Sequence, residues 1–141
     1  MDRNVTVRFY EIHRNSPNSP TMEDALRSLG ALPKRDRENE IDDGVTLRLE
    51  HLEEEHGLII GDITRVQSRN LPGHVVEEDV NRLPVDRIGH STAFIYDPIT
   101  SCITFQFDMK TGIGRLCRYF RQAIPAADFG YLPYLKRDTL D

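Results

Sequence analysis

The sequence predicts an α+β fold, an antiparallel sheet of about five strands arranged as two hairpins, with two or three short helices packed on one face. Three observations carry this. β-forming residues alternate with polar ones at period 2, as in Val5, Val7 and Phe9. Two other stretches, Met22 to Leu29 and Ile113 to Ile124, repeat their apolar residues at helical spacing. Between His90 and Asp108, the turn sequence Asp97-Pro98-Ile99-Thr100 separates two β-rich runs.

Taken in order, the first strand is expected over roughly 4–12, followed by a Pro/Ser/Asn loop over 15–20. Thr21 stands three residues before Asp24, the weaker Asp form of a capping box. Met22, Ala25, Leu26 and Leu29 then share one face of a helix of about 22–29, with Gly30 as its stop. The stretch from Pro33 to Gly44 mixes both charge signs around one aliphatic residue, Ile41, and reads as an exposed charged loop over 33–44. Val45 to Leu52 fits either period, and the glutamates that follow favour helix. Strand is preferred because His56-Gly57 turns into a second β-rich run, Leu58 to Val66. Asn70 to Gly73 reads as a turn, and Val76, Val80 and Leu83 as a short helix closed by Pro84. The tail from Pro125 is expected to be irregular, pinned to the body by Phe129, Tyr131 and Tyr134.

The chain has 141 residues, so 1–141 reads as one domain, a length that also suits the N-terminal part of a longer protein. A net charge of −5 argues against whole-surface attraction to nucleic acid or anionic membrane, while leaving room for a local basic patch. No apolar run reaches the ~20 residues of a membrane-spanning helix, and the polar start shows no secretory signal. The two cysteines, Cys102 and Cys117, are then expected to be reduced in a soluble, cytoplasmic protein.

The hairpin register follows from parity. With a loop of Pro98-Ile99-Thr100, Ala93 faces Phe105, Ile95 faces Ile103 and Ser91 faces Phe107, making an apolar inner face. The other face then pairs His90 with Asp108 and Thr92 with Gln106. Near the turn it carries Phe94 and Tyr96 opposite Thr104 and Cys102. At its open end, Asp108-Met109-Lys110 and the preceding Asp86 resemble the PD-(D/E)xK nuclease arrangement. That resemblance implies catalytic roles for Asp86, Asp108 and Lys110, with a Mg²⁺ or Mn²⁺ ion polarising the attacking water. It covers about 25 residues, and so short a motif carries a high false-positive rate. A solvated strand end with a His–Asp contact is the preferred reading.

The helix after the hairpin buries Ile113, Leu116, Cys117, Phe120 and Ile124 on one face. Its other face carries Arg115, Arg118, Tyr119 and Gln122, with Arg121 at the flank and no acid between them. Arginines beside a tyrosine suit phosphate contact and base stacking. They also suit ion pairing with the chain's own carboxylates, or a protein interface. His51 and His56, five apart, are wrongly spaced for a zinc pair on one face. Gly112-Ile113-Gly114 lacks the rest of a dinucleotide loop.

The expected function is that of a non-enzymatic interaction module in a soluble bacterial assembly, needing no cofactor or metal. It would act through the open end of the 90–108 hairpin and the arginine helix, using His90, Gln106, Arg115, Arg118, Tyr119, Arg121 and Gln122. The partner would be another protein or a second copy of the chain. The alternative is nucleic-acid binding through the arginine stripe, with or without cleavage at Asp86, Asp108 and Lys110.

Overall fold

The computed structural model describes residues 6–67, 88–106 and 111–133. It contains seven strands: β1 (Val7–Arg14), β2 (Asn39–Asp42), β3 (Val45–Glu55), β4 (Leu58–Gln67), β5 (Ile88–Asp97), β6 (Cys102–Gln106) and β7 (Phe129–Pro133). They form one antiparallel sheet in the order β2-β3-β4-β5-β6-β1-β7. Two α-helices accompany it, α1 (Met22–Gly30) and α2 (Ile113–Ala123), with a single 3₁₀ turn at Lys34–Arg37.

The sheet is a curled half-barrel, which overturns the expected five-strand sheet with helices layered on one face. Two unread strands account for the difference. β2 lies inside the stretch expected to be an exposed loop, and a two-residue Asp43-Gly44 connection folds it back onto β3 with Gly44 at φ 76°. Its one aliphatic residue, Ile41, is buried against the core. β7 lies in the tail expected to be irregular and pairs with β1 from Arg14↔Phe129 to Tyr10↔Pro133. The helix α2 lies against β2 and β7, the two edge strands, and so spans the gap that the open barrel leaves.

The other elements follow from local chemistry. α1 starts where Thr21 accepts a hydrogen bond from the Asp24 backbone N–H at 3.2 Å, and it buries Met22, Ala25, Leu26 and Leu29. Gly30 does not act as the stop. It is the last helical residue, and a Cβ there would meet the Leu52 side chain at 3.0 Å, so the glycine permits close packing of α1 on β3. The segment read as strand or helix is strand, running on to Glu55. His56 and Gly57 both take positive φ, as a two-residue turn with this twist requires.

The β5–β6 hairpin exists, but its register is one residue away from the expected one. Phe94 pairs with Phe105, Ile95 with Thr104, Tyr96 with Ile103 and Asp97 with Cys102. The cause is the loop, which contains four residues instead of three. Ser101 adopts φ 61°, its N–H donates to the Asp97 carbonyl at 2.8 Å, and the Asp97 carboxylate accepts from the Ile99 N–H at 3.0 Å. One extra residue moves every β5 side chain to the opposite face. Thr92, Phe94 and Tyr96 therefore join Ile103 and Phe105 in the core, while Ala93 and Ile95 face outward. This register buries two aromatic rings in place of an alanine and an isoleucine, which removes more apolar area from water.

The core fills the concave side of the curl. Leu26 and Leu29 of α1, and Leu116 and Phe120 of α2, meet Leu47, Ile63, Phe94 and Phe105 of the sheet. Phe120 stacks edge-on with both Tyr119 and Phe129. The expected turn over 70–73, the helix over 76–83 and Tyr134 lie outside the described residues.

Candidate functional site

The arginines of α2 are anchored within the molecule. Arg115 and Arg118 both reach the Asp42 carboxylate on β2, at 3.0 and 2.9 Å, and Arg118 also donates to the Ile41 carbonyl at 3.1 Å. Arg121 points the other way and meets Asp128, just ahead of β7, at 3.3 Å. Asp128 is itself held by the Asn15 amide at 3.1 Å, and its backbone N–H donates to the Ser19 hydroxyl at 3.0 Å. The stripe thus ties α2 to one edge of the sheet and to the approach to the other. Only Gln122, of the residues named on this flank, is exposed without such a tie among the described residues.

Tyr119 corrects the sequence reading. The sequence puts it on the open flank, yet it is fully buried, because α2 packs against both edge strands, β2 and β7, and the ring turns in beside Phe120. Its hydroxyl donates to the Arg37 carbonyl at 2.6 Å and accepts from the Leu49 N–H at 3.0 Å. Burial pushes its phenol up to about 12, against the Leu49 hydrogen bond and the nearby Arg37 charge that pull the other way. In this position the ring cannot stack on a base.

The open end of the hairpin is split between faces. His90 pairs across from Arg65, on the concave side, whereas Gln106 faces outward and accepts from the Ala93 N–H at 3.1 Å. The same one-residue shift that moved Ala93 separates Gln106 from Thr92, which is buried. Asp86, Asp108 and Lys110 lie outside the described residues, and so does any meeting of that end with the arginine helix. Sequence reasoning passed over Arg65, which is only 4% exposed and donates to the Thr111 hydroxyl at 3.1 Å. Its place on the inward parity of β4 was readable only once the strand's register was known.

On the outward side of the sheet the sequence reading placed Gln106, Thr104 and Cys102, but with Phe94 and Tyr96 in place of Ile95, so the apolar row there was missed. Cross-strand partners share a face, and the pairs Ile60↔Ile95, Ile95↔Thr104 and Phe9↔Thr104 set Ile60, Ile95, Thr104 and Phe9 in one row across four strands. At ~4.8 Å per strand the row is about 14 Å long. Phe9 is 47% exposed and Ile95 is 40% exposed. Val7 and Leu132 extend the apolar surface on the same face. At the hairpin tip stands Ile99, 90% exposed, its N–H donating to the Asp97 carboxylate at 3.0 Å.

Other polar groups have structural partners. Burial works against the Glu50 charge, yet the hydrogen bond and charge of Arg48, with Lys34, hold its carboxyl below the usual range. Tyr96 donates to Glu23 at 3.4 Å and is pushed up to about 12, chiefly by burial. Beside them a cavity of about 330 Å³ opens between α1 and the end of β1, lined by Ile12, Arg14, Met22, Glu23 and Phe129 among others. Among the described residues no group of three or more His, Cys, Asp or Glu side chains is placed to hold a metal ion. No helix among them is long and apolar enough to cross a membrane.

No protein-family model matches the chain, and no curated protein matches it in sequence.

Proposed function

We propose that this protein is a non-enzymatic interaction module that docks a different protein on the outward face of its sheet. The observation behind this is the row of Ile60, Ile95, Thr104 and Phe9, which leaves two large apolar side chains about half exposed in the middle of a sheet. Solvated sheet faces normally alternate to polar residues, and a contiguous exposed apolar patch marks an interaction site. Glu11, Glu53 and Glu55 rim the same face, so two copies placed face to face would set acid against acid. That favours a partner distinct from the chain itself. The sequence-derived surface of arginine helix and hairpin end gives way to this one, because its arginines are already engaged at Asp42 and Asp128.

The test replaces Ile95 with a photo-crosslinking phenylalanine analogue in cells that make the protein. A discrete protein adduct that disappears when Phe9→Ser is added supports the proposal. Adducts only between copies of the chain, adducts to nucleic acid, or an adduct indifferent to Phe9→Ser would each overturn it.

A further inference from the structure

The outward face specifies a charge for its occupant as well as a shape. Two residues beyond the apolar row, about 7 Å along the strands, lies a second row. Asp97 pairs with Cys102, Cys102 with Glu11, and Glu11 with Leu132. On β3, Glu53 pairs with Ile60 and Glu55 with Leu58, so both glutamates flank the same surface. Asp62 lies outward on β4 as well, where it accepts from the His51 N–H at 2.9 Å. Five carboxylates therefore surround Ile60, Ile95 and Phe9. Of the outward residues described on β4, β5, β6 and β1, none is Lys or Arg; Arg48, outward on β3, is paired with Glu38 and Glu50, and the cationic side chains of α2 are ion-paired on the other side of the sheet. No salt bridge neutralises Glu11 or Glu53 among the described residues. Neighbouring carboxylates on this face lie within about one Debye length (~8–10 Å), so their fields reinforce one another.

Resting on the docking reading above, we propose that the partner is a basic protein segment. Its apolar side chains seat on Phe9, Ile95 and Ile60, and the lysines or arginines beside them face Glu11, Asp97 and Glu55. Ile99 lies past the acidic row at the hairpin tip, so an apolar residue beyond the partner's basic stretch gains a second contact. A second copy of this chain, an anionic membrane and nucleic acid all meet the same negative rim, which opposes each of them.

The experiment uses two synthetic amphipathic peptides with the same leucine/tryptophan stripe, one flanked by lysines and one by glutamates. Binding to the full chain is read by fluorescence anisotropy at about 50 and about 300 mM NaCl, on either side of physiological screening. The lysine peptide is expected to bind about tenfold or more tighter than the glutamate peptide, and to weaken several-fold with salt. Glu11→Lys with Glu53→Lys should remove that preference, and Ile95→Ser should abolish binding. Ile95→Ser leaves every charge in place, so it separates docking from loose attraction to an acidic protein. Equal affinity for the two peptides, both lost in Ile95→Ser, overturns the basic partner and leaves the docking reading standing. Binding that is indifferent to Ile95→Ser, or no binding of either peptide, overturns both.

Discussion

Three arginines on α2 and three apolar residues on the outward sheet face, Phe9, Ile60 and Ile95, are in opposite situations. The arginines look like a ligand-binding stripe and are ion-paired within the fold, with Asp42 on one edge strand of the half-barrel and with Asp128 just before the other. The apolar residues look like core and lie outside it, across the middle of the sheet. The difference comes from curvature. A sheet curled around two helices has a concave side that buries the inner residues of α2, reaching even Tyr119, and a convex side on which Phe9 and Ile95 stay exposed. Charge on α2 pairs with both ends of the half-barrel, and the apolar residues of the convex side stay exposed, the surface we propose for a partner.

That contrast can be tested first where it should be largest. Phe120→Ala empties the centre of the concave core and is expected to cost about 3–5 kcal/mol, read as a lower urea midpoint. Ile95→Ser should cost about 1 kcal/mol or less, since the side chain is already 40% exposed. Comparable losses in the two variants would mean that the convex face is core after all.

Tyr119→Phe comes next. It keeps the ring and removes the hydroxyl that joins the Leu49 N–H to the Arg37 carbonyl, leaving both without that partner at an expected cost of about 1–3 kcal/mol. A neutral result would show the hydroxyl to be replaceable and return the tyrosine to the flank.

Alkaline pH tests the same enclosure without mutation. Burial pushes the Tyr119 and Tyr96 phenols and the Cys117 thiol up to about 12. The unfolded chain would release these protons near 10 for tyrosine and 8.5 for cysteine. Folded values raised above unfolded ones give stability that is intact below those unfolded values and lost as pH climbs towards 12. The urea midpoint should therefore fall steadily from about pH 9 upward, with tyrosine absorbance near 295 nm rising as the chain unfolds. A flat midpoint to pH 11.5, beyond the unfolded tyrosine value of about 10, would contradict the burial of these groups.

The smallest effect belongs to the arginines. Asp42→Asn removes the shared carboxylate of Arg115 and Arg118, whose side chains keep 32% and 45% of their exposure. A loss of about 1 kcal/mol or less is expected, shrinking with salt. An unchanged midpoint at low salt would make these pairs incidental to closure.

What the sequence revealed and hid follows the same division. The helices were legible because the stripes Met22-Ala25-Leu26-Leu29 and Ile113-Leu116-Cys117-Phe120 are periodic in themselves. The β3–β4 hairpin was legible from His56-Gly57. β2 escaped because Ile41 is a single aliphatic residue among charges, although Asp43-Gly44 is a turn signal. The β5–β6 faces were inverted because parity depends on loop length, and Ser101 gives no outward sign of its left-handed conformation. With the faces inverted, Ile95 was assigned to the core, and the convex row stayed out of view. Arg115, Arg118 and Arg121 were found as a group, but their partners lie 73, 76 and 7 residues away along the chain, and only Asp128 is close in sequence.

The most direct test is where the lysine-flanked peptide lands. In ¹H–¹⁵N spectra of the full chain, titration should shift the amides of Phe9, Ile60, Ile95 and Thr104 and leave those of Arg115, Arg118, Arg121 and Gln122 in place. Shifts confined to the α2 residues would return the binding surface to the arginine helix and contradict the convex-face assignment.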